Sequence, residues 1–219
     1  MVLYALNFSA PPEARSKNAA FFASMTDQQD KQQLGQDVAM VVSLHNLAAW
    51  KTFQVIDAPT PASAYAYALK WTGNGSTNCE IQAVITDNEM RANMNQADEP
   101  PFVIPDDINA ELEDGETLFL LSWEMHQEKI GETLKFVGSM TEDAYRAQMM
   151  GCRPLALFWT DGGSAGYTVT AAKSAKQVFA WTLGWASIAK AYVYPMLRHD
   201  EARKVLKDYV ASVEQVSES

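Results

Sequence analysis

The sequence contains three histidines, and one of them stands where acid–base chemistry could be done. His45 closes the run "VAMVVSLH" (Val38–His45), which alternates as a β-strand and puts the imidazole on one face with Ser43. An imidazole that moves protons near neutrality needs a carboxylate to orient it, and Glu80 and Glu124, each on an alternating strand, are the candidates. His126 ends a strand and His199 lies in the charged turn "RHDEAR", so both are expected at the surface. The sequence has no Ser-His-Asp order, HExxH, glycine-rich phosphate loop or carboxylate set with metal spacing, so neither a metal nor a cofactor is expected. "GNGS" (Gly73–Ser76) and "TDGGSAG" (Thr160–Gly166) are turn chemistry. Cys79 and Cys152 lack a CxxC or Cys/His ligand spacing and read as buried apolar thiols.

Charge narrows the partners. Seventeen Lys and Arg against 27 Asp and Glu give a formal charge of −10, which repels nucleic-acid phosphates and anionic lipid headgroups. The most basic stretch, Arg198–Lys207, is interrupted by Asp200 and Glu201 and reads as a solvated helix face. No nucleic-acid or membrane partner is expected. The start "MVLYALNFSAPPEAR" has no basic segment followed by a long apolar one, and no run of about 18 apolar residues occurs, so the default location is cytoplasmic.

The elements that would position His45 emerge from an internal repeat. "FFASMT" (Phe21–Thr26) returns as "FVGSMT" (Phe136–Thr141), with Met25 and Met140 separated by 115 positions. At nearly the same offset "VLYALNF" (Val2–Phe8) meets "TLFLLSW" (Thr117–Trp123), and Thr52–Trp71 meets Gly166–Trp185, Trp on Trp. With a slightly shorter loop, Glu80–Arg91 meets Tyr192–Arg203, pairing Glu89 with Glu201 and Arg91 with Arg203. Such persistence through elements of different type marks a duplication.

Each copy reads as a strand (Val2–Ser9; Thr117–His126), a helical stretch (Pro12–Leu34; Ile130–Met150) ending at Gly35 or Gly151, two strands, a helix introduced by Thr60-Pro61 or Ser174, and a last strand (Cys79–Ile85; Ala191–Leu197). Thr26 and Thr141, inside the first helical stretches, are capping residues that predict a kink or a fresh helix start. The order β-α-β-β-α-β is the ferredoxin-like unit. Residues 1–94 form repeat A and 117–219 repeat B with a C-terminal helix over Glu201–Val216. The acidic, proline-containing segment 95–116 is a linker, in which Phe102, Val103 and Ile104 are expected to pack across a surface.

Two such units in one chain, each with a Trp-ended second helix leading into a strand and "DNEMR" or "HDEAR", resemble a fused version of the dimeric α/β-barrel superfamily. The pattern around Tyr167–Leu197 is similar to small domains of unknown function within it. The resemblance implies an α+β fold in which two tandem ferredoxin-like repeats form an intramolecular pseudo-dimeric α/β barrel, helices outside. It also implies a monomer, or a dimer through an outer surface. Its members include cofactor-free monooxygenases, haem enzymes, isomerases, cyclases and proteins without known activity, and a shared fold does not choose among them; no second feature supports haem ligation by His45.

Strand alternation then proposes two faces. Tyr4, Leu6, Phe8, Val42, Leu44, Phe53, Val55 and Ile81 in repeat A, with Phe119, Leu121, Trp123, Ala156, Phe158, Tyr167, Val169 and Val193 in repeat B, are expected under the helices. The opposite, mixed face would line an inter-sheet lumen: Asn7, Ser43, His45, Gln54, Glu80 and Gln82, then Ser122, Glu124, Trp159, Thr168, Tyr192 and Tyr194. Two functions stay open. One is a non-catalytic protein, or one binding a small molecule in that lumen. The other is a cofactor-independent enzyme of monooxygenase, isomerase or cyclase type, acting on a small, partly aromatic substrate with His45, aided by Glu80, as acid/base.

Overall fold

The computed structural model describes residues 2–34, 37–73, 77–96, 100–104 and 107–217; Gly35, read as the first copy's helix stop, and 74–76 of the "GNGS" turn lie outside them. Repeat A contains β1 (Val2–Ser9), α1 (Arg15–Ser24), α2 (Asp27–Leu34), β2 (Ala39–Asn46), β3 (Lys51–Ala58), α3 (Pro61–Thr72), β4 (Asn78–Thr86) and α4 (Asp87–Met94). Repeat B contains β5 (Thr117–Met125), α5 (Ile130–Gly138), α6 (Glu142–Gln148), β6 (Arg153–Thr160), β7 (Ala165–Ala172), α7 (Ala175–Trp185), β8 (Ala189–Arg198) and α8 (His199–Ser217). The strand order β1-β3-β2-β8-β5-β7-β6-β4 is of barrel type, and the fold is the α+β class with two ferredoxin-like βαββαβ repeats.

Local signals explain the boundaries. Thr26 breaks the first helical stretch, accepting at Oγ1 from the Gln29 amide while its own amide donates to Gln29 Oε1 at 2.8 Å. Thr60, Thr86, Thr141 and Ser174 each accept a backbone amide of the helix that follows. Gly151 has φ +82°, the left-handed conformation that ends the second copy's helical stretch. The repeated hexamers perform one structural task twice. Ser24 Oγ donates to Phe21 O at 2.9 Å and Ser139 Oγ to Phe136 O at 3.0 Å, Met25 and Met140 are buried, and Phe21 meets Trp71 at 6.3 Å as Phe136 meets Trp185 at 6.2 Å between ring centroids.

The chain divides into two compact units that do not coincide with the repeats: unit 1 is Met1–Ala83 with Leu197–Ser219, unit 2 is Val84–Met196. In unit 1, α8, the last helix of repeat B, packs on α1, with Leu206 among Ala19, Ala23, Phe22 and Trp50. In unit 2, α4, the last helix of repeat A, packs on α5 and β6. Helix α4 is absent from the sequence expectations, although Thr86 and Glu89 form a capping box of the readable form T-x-x-E. The linker's Ile104 is buried and Phe102 packs on Tyr145, 5.7 Å between ring centroids.

Register corrects the two faces. In unit 1, Leu6 stands opposite Gln54 and Tyr4 opposite Ile56, while Ser43 stands opposite Gln54 and His45 opposite Thr52. Directly paired residues share a face, so Ser43, His45 and Gln54 lie with Tyr4, Leu6 and Phe8 toward α3, and Phe53, Val55, Val42 and Leu44 lie on the other side with Asn7. In unit 2, Leu121 pairs with Thr168 and Leu157 with Thr168, which puts Trp159 and Thr168 toward the helices and Phe158, Tyr167 and Val169 away. Strand alternation groups the β2–β3 and β6–β7 pairs correctly within themselves but sets them on the wrong side of β1 and β5. The physical reason is burial on both sides: β3 and β7 carry almost unbroken buried runs, so apolar–polar alternation carries no sign.

Candidate functional site

The site belongs to unit 1 and is assembled from β2, β3, α1, α2, α3 and α8. His45 is 6% exposed. Its Nδ1 lies 3.0 Å from Thr52 Oγ1, and its Nε2 lies 3.1 Å from Ser43 Oγ and 3.2 Å from His199 Nδ1. His199, the first residue of α8, is therefore half-buried against His45 instead of standing in solvent. Phe22 packs beside the pair, its centroid 5.0 Å from the His45 ring and 4.9 Å from the His199 ring. At its far nitrogen His199 faces Asp30 Oδ2 at 2.7 Å and Arg203 at 2.7 Å. Arg203 also donates to Asp30 at 2.9 Å and to Asp27, so one turn of α8 is clamped to the first turn of α2.

The hydrogen bonds assign the protons. Tyr67 O–H donates to Gln54 Oε1 at 2.8 Å, and Gln54 Nε2 donates to Ser43 Oγ at 3.1 Å. Ser43 then has its proton to give His45 Nε2, so that nitrogen accepts and His45 Nδ1–H donates to Thr52. His199 Nδ1–H, 3.2 Å from the same nitrogen, shares its single lone pair with the Ser43 hydroxyl. With its Nε2 protonated, His199 donates to Asp30; without that proton, it accepts from Arg203. Burial first, and the neighbouring His199 charge second, hold the His45 pKa down at about 3, so the ring stays neutral at physiological pH. Burial pushes the Asp30 carboxyl up, but His199 and Arg203 outweigh it and hold the pKa below its ordinary value. Burial also raises the Tyr67 phenol, which keeps its proton for Gln54.

Beside this network is a cavity of ≈ 210 Å³. His45, Gln54, Thr52 and His199 supply polar wall; Phe8, Phe21, Phe22, Trp50, Trp71 and Leu206 supply apolar wall; Lys17, Lys51 and Lys70 supply positive charge. Such a space is complementary to a small ring bearing an anionic group.

Of the residues singled out in the sequence, Ser43, His45 and Gln54 come together here. Asn7 and Gln82 do not: Asn7 pairs with Phe53, and Gln82 and Glu80 flank Ile81, which packs toward α3, so all three point to the face away from His45. Glu80 is exposed and does not orient the imidazole. In unit 2, Ser122 stands opposite Tyr192 and Tyr194 shares their face. Tyr192 is 48% exposed with Lys190 Nζ 4.8 Å from its ring centre, and Glu124 is exposed. Trp159 is buried and donates through Nε1 to Asp87 Oδ1 at 2.7 Å. Sequence reading missed His199, Asp30 and Arg203. The signal was in the repeat: aligning Arg91 with Arg203 also aligns Asp87 with His199, one helical turn earlier.

Neither cysteine offers a nucleophile, since burial pushes the Cys79 thiol up to about 12 and the Cys152 thiol up to about 11. Among the described residues no group of three His, Cys, Asp or Glu could hold a metal ion, and no helix is long and apolar enough to cross a membrane.

A family model described as "Domain of unknown function (DUF3303)" matches residues 2–98 and 117–210. The chain belongs to this family. The two matched segments follow the two repeats, so the DUF3303 unit occurs twice. No curated protein matches the sequence. Among solved structures the DUF3303 chain is similar to a chlorite dismutase variant from Candidatus Nitrospira defluvii in complex with cyanide, at 8% identity over 94% of this chain and 95% of the other, TM-score 0.57. It is similar also to a DypB variant from Rhodococcus jostii RHA1 in complex with heme, at 10% identity over 94% of each chain, TM-score 0.53. A third, from Fusobacterium nucleatum and named a monooxygenase, shares 10% identity over 90% of this chain and 91% of the other, TM-score 0.50. These likenesses show the dimeric α/β-barrel fold. The residues of the unit 1 site do not fit a haem: both ring nitrogens of His45 and of His199 are engaged, so iron ligation would break the network that holds them.

Proposed function

We propose that this DUF3303 protein binds a small, partly aromatic carboxylate in the unit 1 cavity, with neutral His45 as a polar wall group and the lysines as counter-charge. The observation that carries the reading is the convergence on one cavity of ≈ 210 Å³ of a buried imidazole, five aromatic side chains and three lysines. The volume lies below the roughly 300–1,000 Å³ of drug-sized sites, which points to a ligand of one ring. Lys70 Nζ donates to Gln33 O, which leaves the ammonium further donor capacity.

The second reading, a cofactor-independent enzyme, draws support from the line Asp30–His199–His45, which could pass a proton between α2 and the cavity. The chemistry of His45 favours binding over it. A general base works best with a pKa near the operating pH, and an imidazole held at about 3 abstracts a proton from a weak acid poorly. His199, with Asp30 behind it, is the better acid/base in that reading.

Calorimetric titration with benzoate and, as the uncharged control, benzyl alcohol tests the proposal. Saturable binding of benzoate, at least tenfold tighter than of the alcohol and lost on Lys17→Ala together with Trp71→Ala, supports it. Equal affinities for the two, or no binding of either, sinks it.

A further inference from the structure

Unit 2 holds another cavity, of ≈ 100 Å³, walled by residues of its sheet and of α4, α5, α6 and α7. Leu121, Trp123, Met140, Leu157 and Trp185 make most of this wall apolar and aromatic. Three of its residues nevertheless carry a buried polar atom without a hydrogen-bond partner: Thr133 Oγ1, the Tyr145 hydroxyl and Trp181 Nε1. These residues are 2%, 7% and 6% exposed. Buried polar groups are nearly always paired, and an unpaired one calls for an explanation in water or ligand.

The neighbouring polar atoms of the same wall are paired. Trp159 Nε1 donates to Asp87 Oδ1 at 2.7 Å, Asp87 Oδ2 receives Arg91 Nε, and Trp123 Nε1 donates to Thr168 Oγ1 at 3.2 Å. In unit 1, the counterparts of Trp181 and Tyr145 by the sequence repeat are Tyr67 and Asp30, and both are satisfied within the chain. Trp181 Nε1 and the Tyr145 hydroxyl are thus orphaned where their unit 1 counterparts are not, although unit 1 has unpartnered buried atoms of its own at Asp57 Oδ1, Trp71 Nε1 and Arg203 Nε.

We propose that the unit 2 cavity is a binding site for a small uncharged ring carrying a hydroxyl or carbonyl oxygen, a phenol being the simplest member. An indole N–H only donates, whereas the Thr133 and Tyr145 hydroxyls donate or accept. A ligand hydroxyl that accepts from Trp181 and from one of the two hydroxyls and donates to the other satisfies the set, and a carbonyl oxygen satisfies two of the three. Asp87 and Arg91 neutralise each other, so the wall offers no net charge to an ion. The volume is of the order of the roughly 150 Å³ apolar cavity that admits benzene, which limits the ligand to one ring.

The test is ligand-observed NMR and thermal melting of the whole chain with phenol, with toluene as the control lacking oxygen and benzoate as the competitor for unit 1. The expected result is saturable phenol binding that raises Tm, at least tenfold weaker binding of toluene, no displacement by benzoate, and at least tenfold loss in Thr133→Val and in Tyr145→Phe. Should Tyr145→Phe fail to fold, the near-isosteric Thr133→Val decides alone. Absence of saturable phenol binding, equal binding of toluene, or wild-type affinity in Thr133→Val overturns the proposal. Displacement of phenol by benzoate would do so too, since it would place the phenol in the unit 1 cavity.

Discussion

His45 Nε2 lies 3.2 Å from His199 Nδ1, and the residues that correspond to them in the other repeat, Trp159 and Asp87, are joined by a 2.7 Å hydrogen bond from Nε1 to Oδ1. In both units the penultimate β2 or β6 position reaches the first residue of a terminal helix, and an arginine one turn later holds that residue. Arg203 bonds Asp27, Asp30 and His199, while Arg91 bonds Asp87 and Val137 O and lies over the Phe102 and Tyr145 rings. One structural device has become a histidine pair in unit 1 and an indole–carboxylate pair in unit 2.

The two arginines should differ in weight. Arg91 and Asp87 side chains are 2% and 3% exposed, so Arg91→Ala leaves a buried unpaired carboxylate and should cost about 3–5 kcal/mol. Arg203 meets Asp27, whose side chain is 86% exposed, and Asp30; solvent screening reduces the loss in Arg203→Ala to about 1–2 kcal/mol. Urea unfolding of the two variants checks the order, and a costlier Arg203→Ala would contradict it.

Removing the imidazole should be felt in the fold. His45→Ala leaves a small void and strips Ser43, Thr52 and His199 of a shared partner, a loss of about 1–3 kcal/mol in chemical denaturation. Wild-type stability would mean that water takes the place of the ring at no cost.

Acid should weaken unit 1 in a defined window. The His45 pKa falls from 6.5 unfolded to about 3 folded, so between those values the unfolded chain holds the extra proton and stability declines as pH falls from about 6.5 toward 3. Asp30, also lowered on folding, adds stability that is present above its unfolded value of 3.8 and is lost below it. The summed effect of His45 alone is at most about 5 kcal/mol. His45→Phe should flatten the Tm-versus-pH curve between pH 6.5 and 4, and an unchanged slope would refute the assignment.

Much of this was legible in residues. Phe21 and Phe136, Trp71 and Trp185, and the capping threonines announced the repeat because helix starts and ring pairs have local signatures. The face of His45 was not, because Phe53, Gln54, Val55 and Ile56 are all buried, and a strand buried on both sides loses the alternation that fixes its register. His199 was hidden by its charged neighbours Asp200 and Glu201; packing of α8 on α1 turns the first residue of that helix inward.

The most direct test follows the imidazoles themselves. In protein labelled with 15N-histidine, titration with benzoate should shift the His45 and His199 ring resonances along one saturable curve, leave those of His126 in place, and have no counterpart with benzyl alcohol. Ring resonances of His45 that stay fixed at saturating benzoate, or that move equally with the alcohol, would contradict a carboxylate site in unit 1.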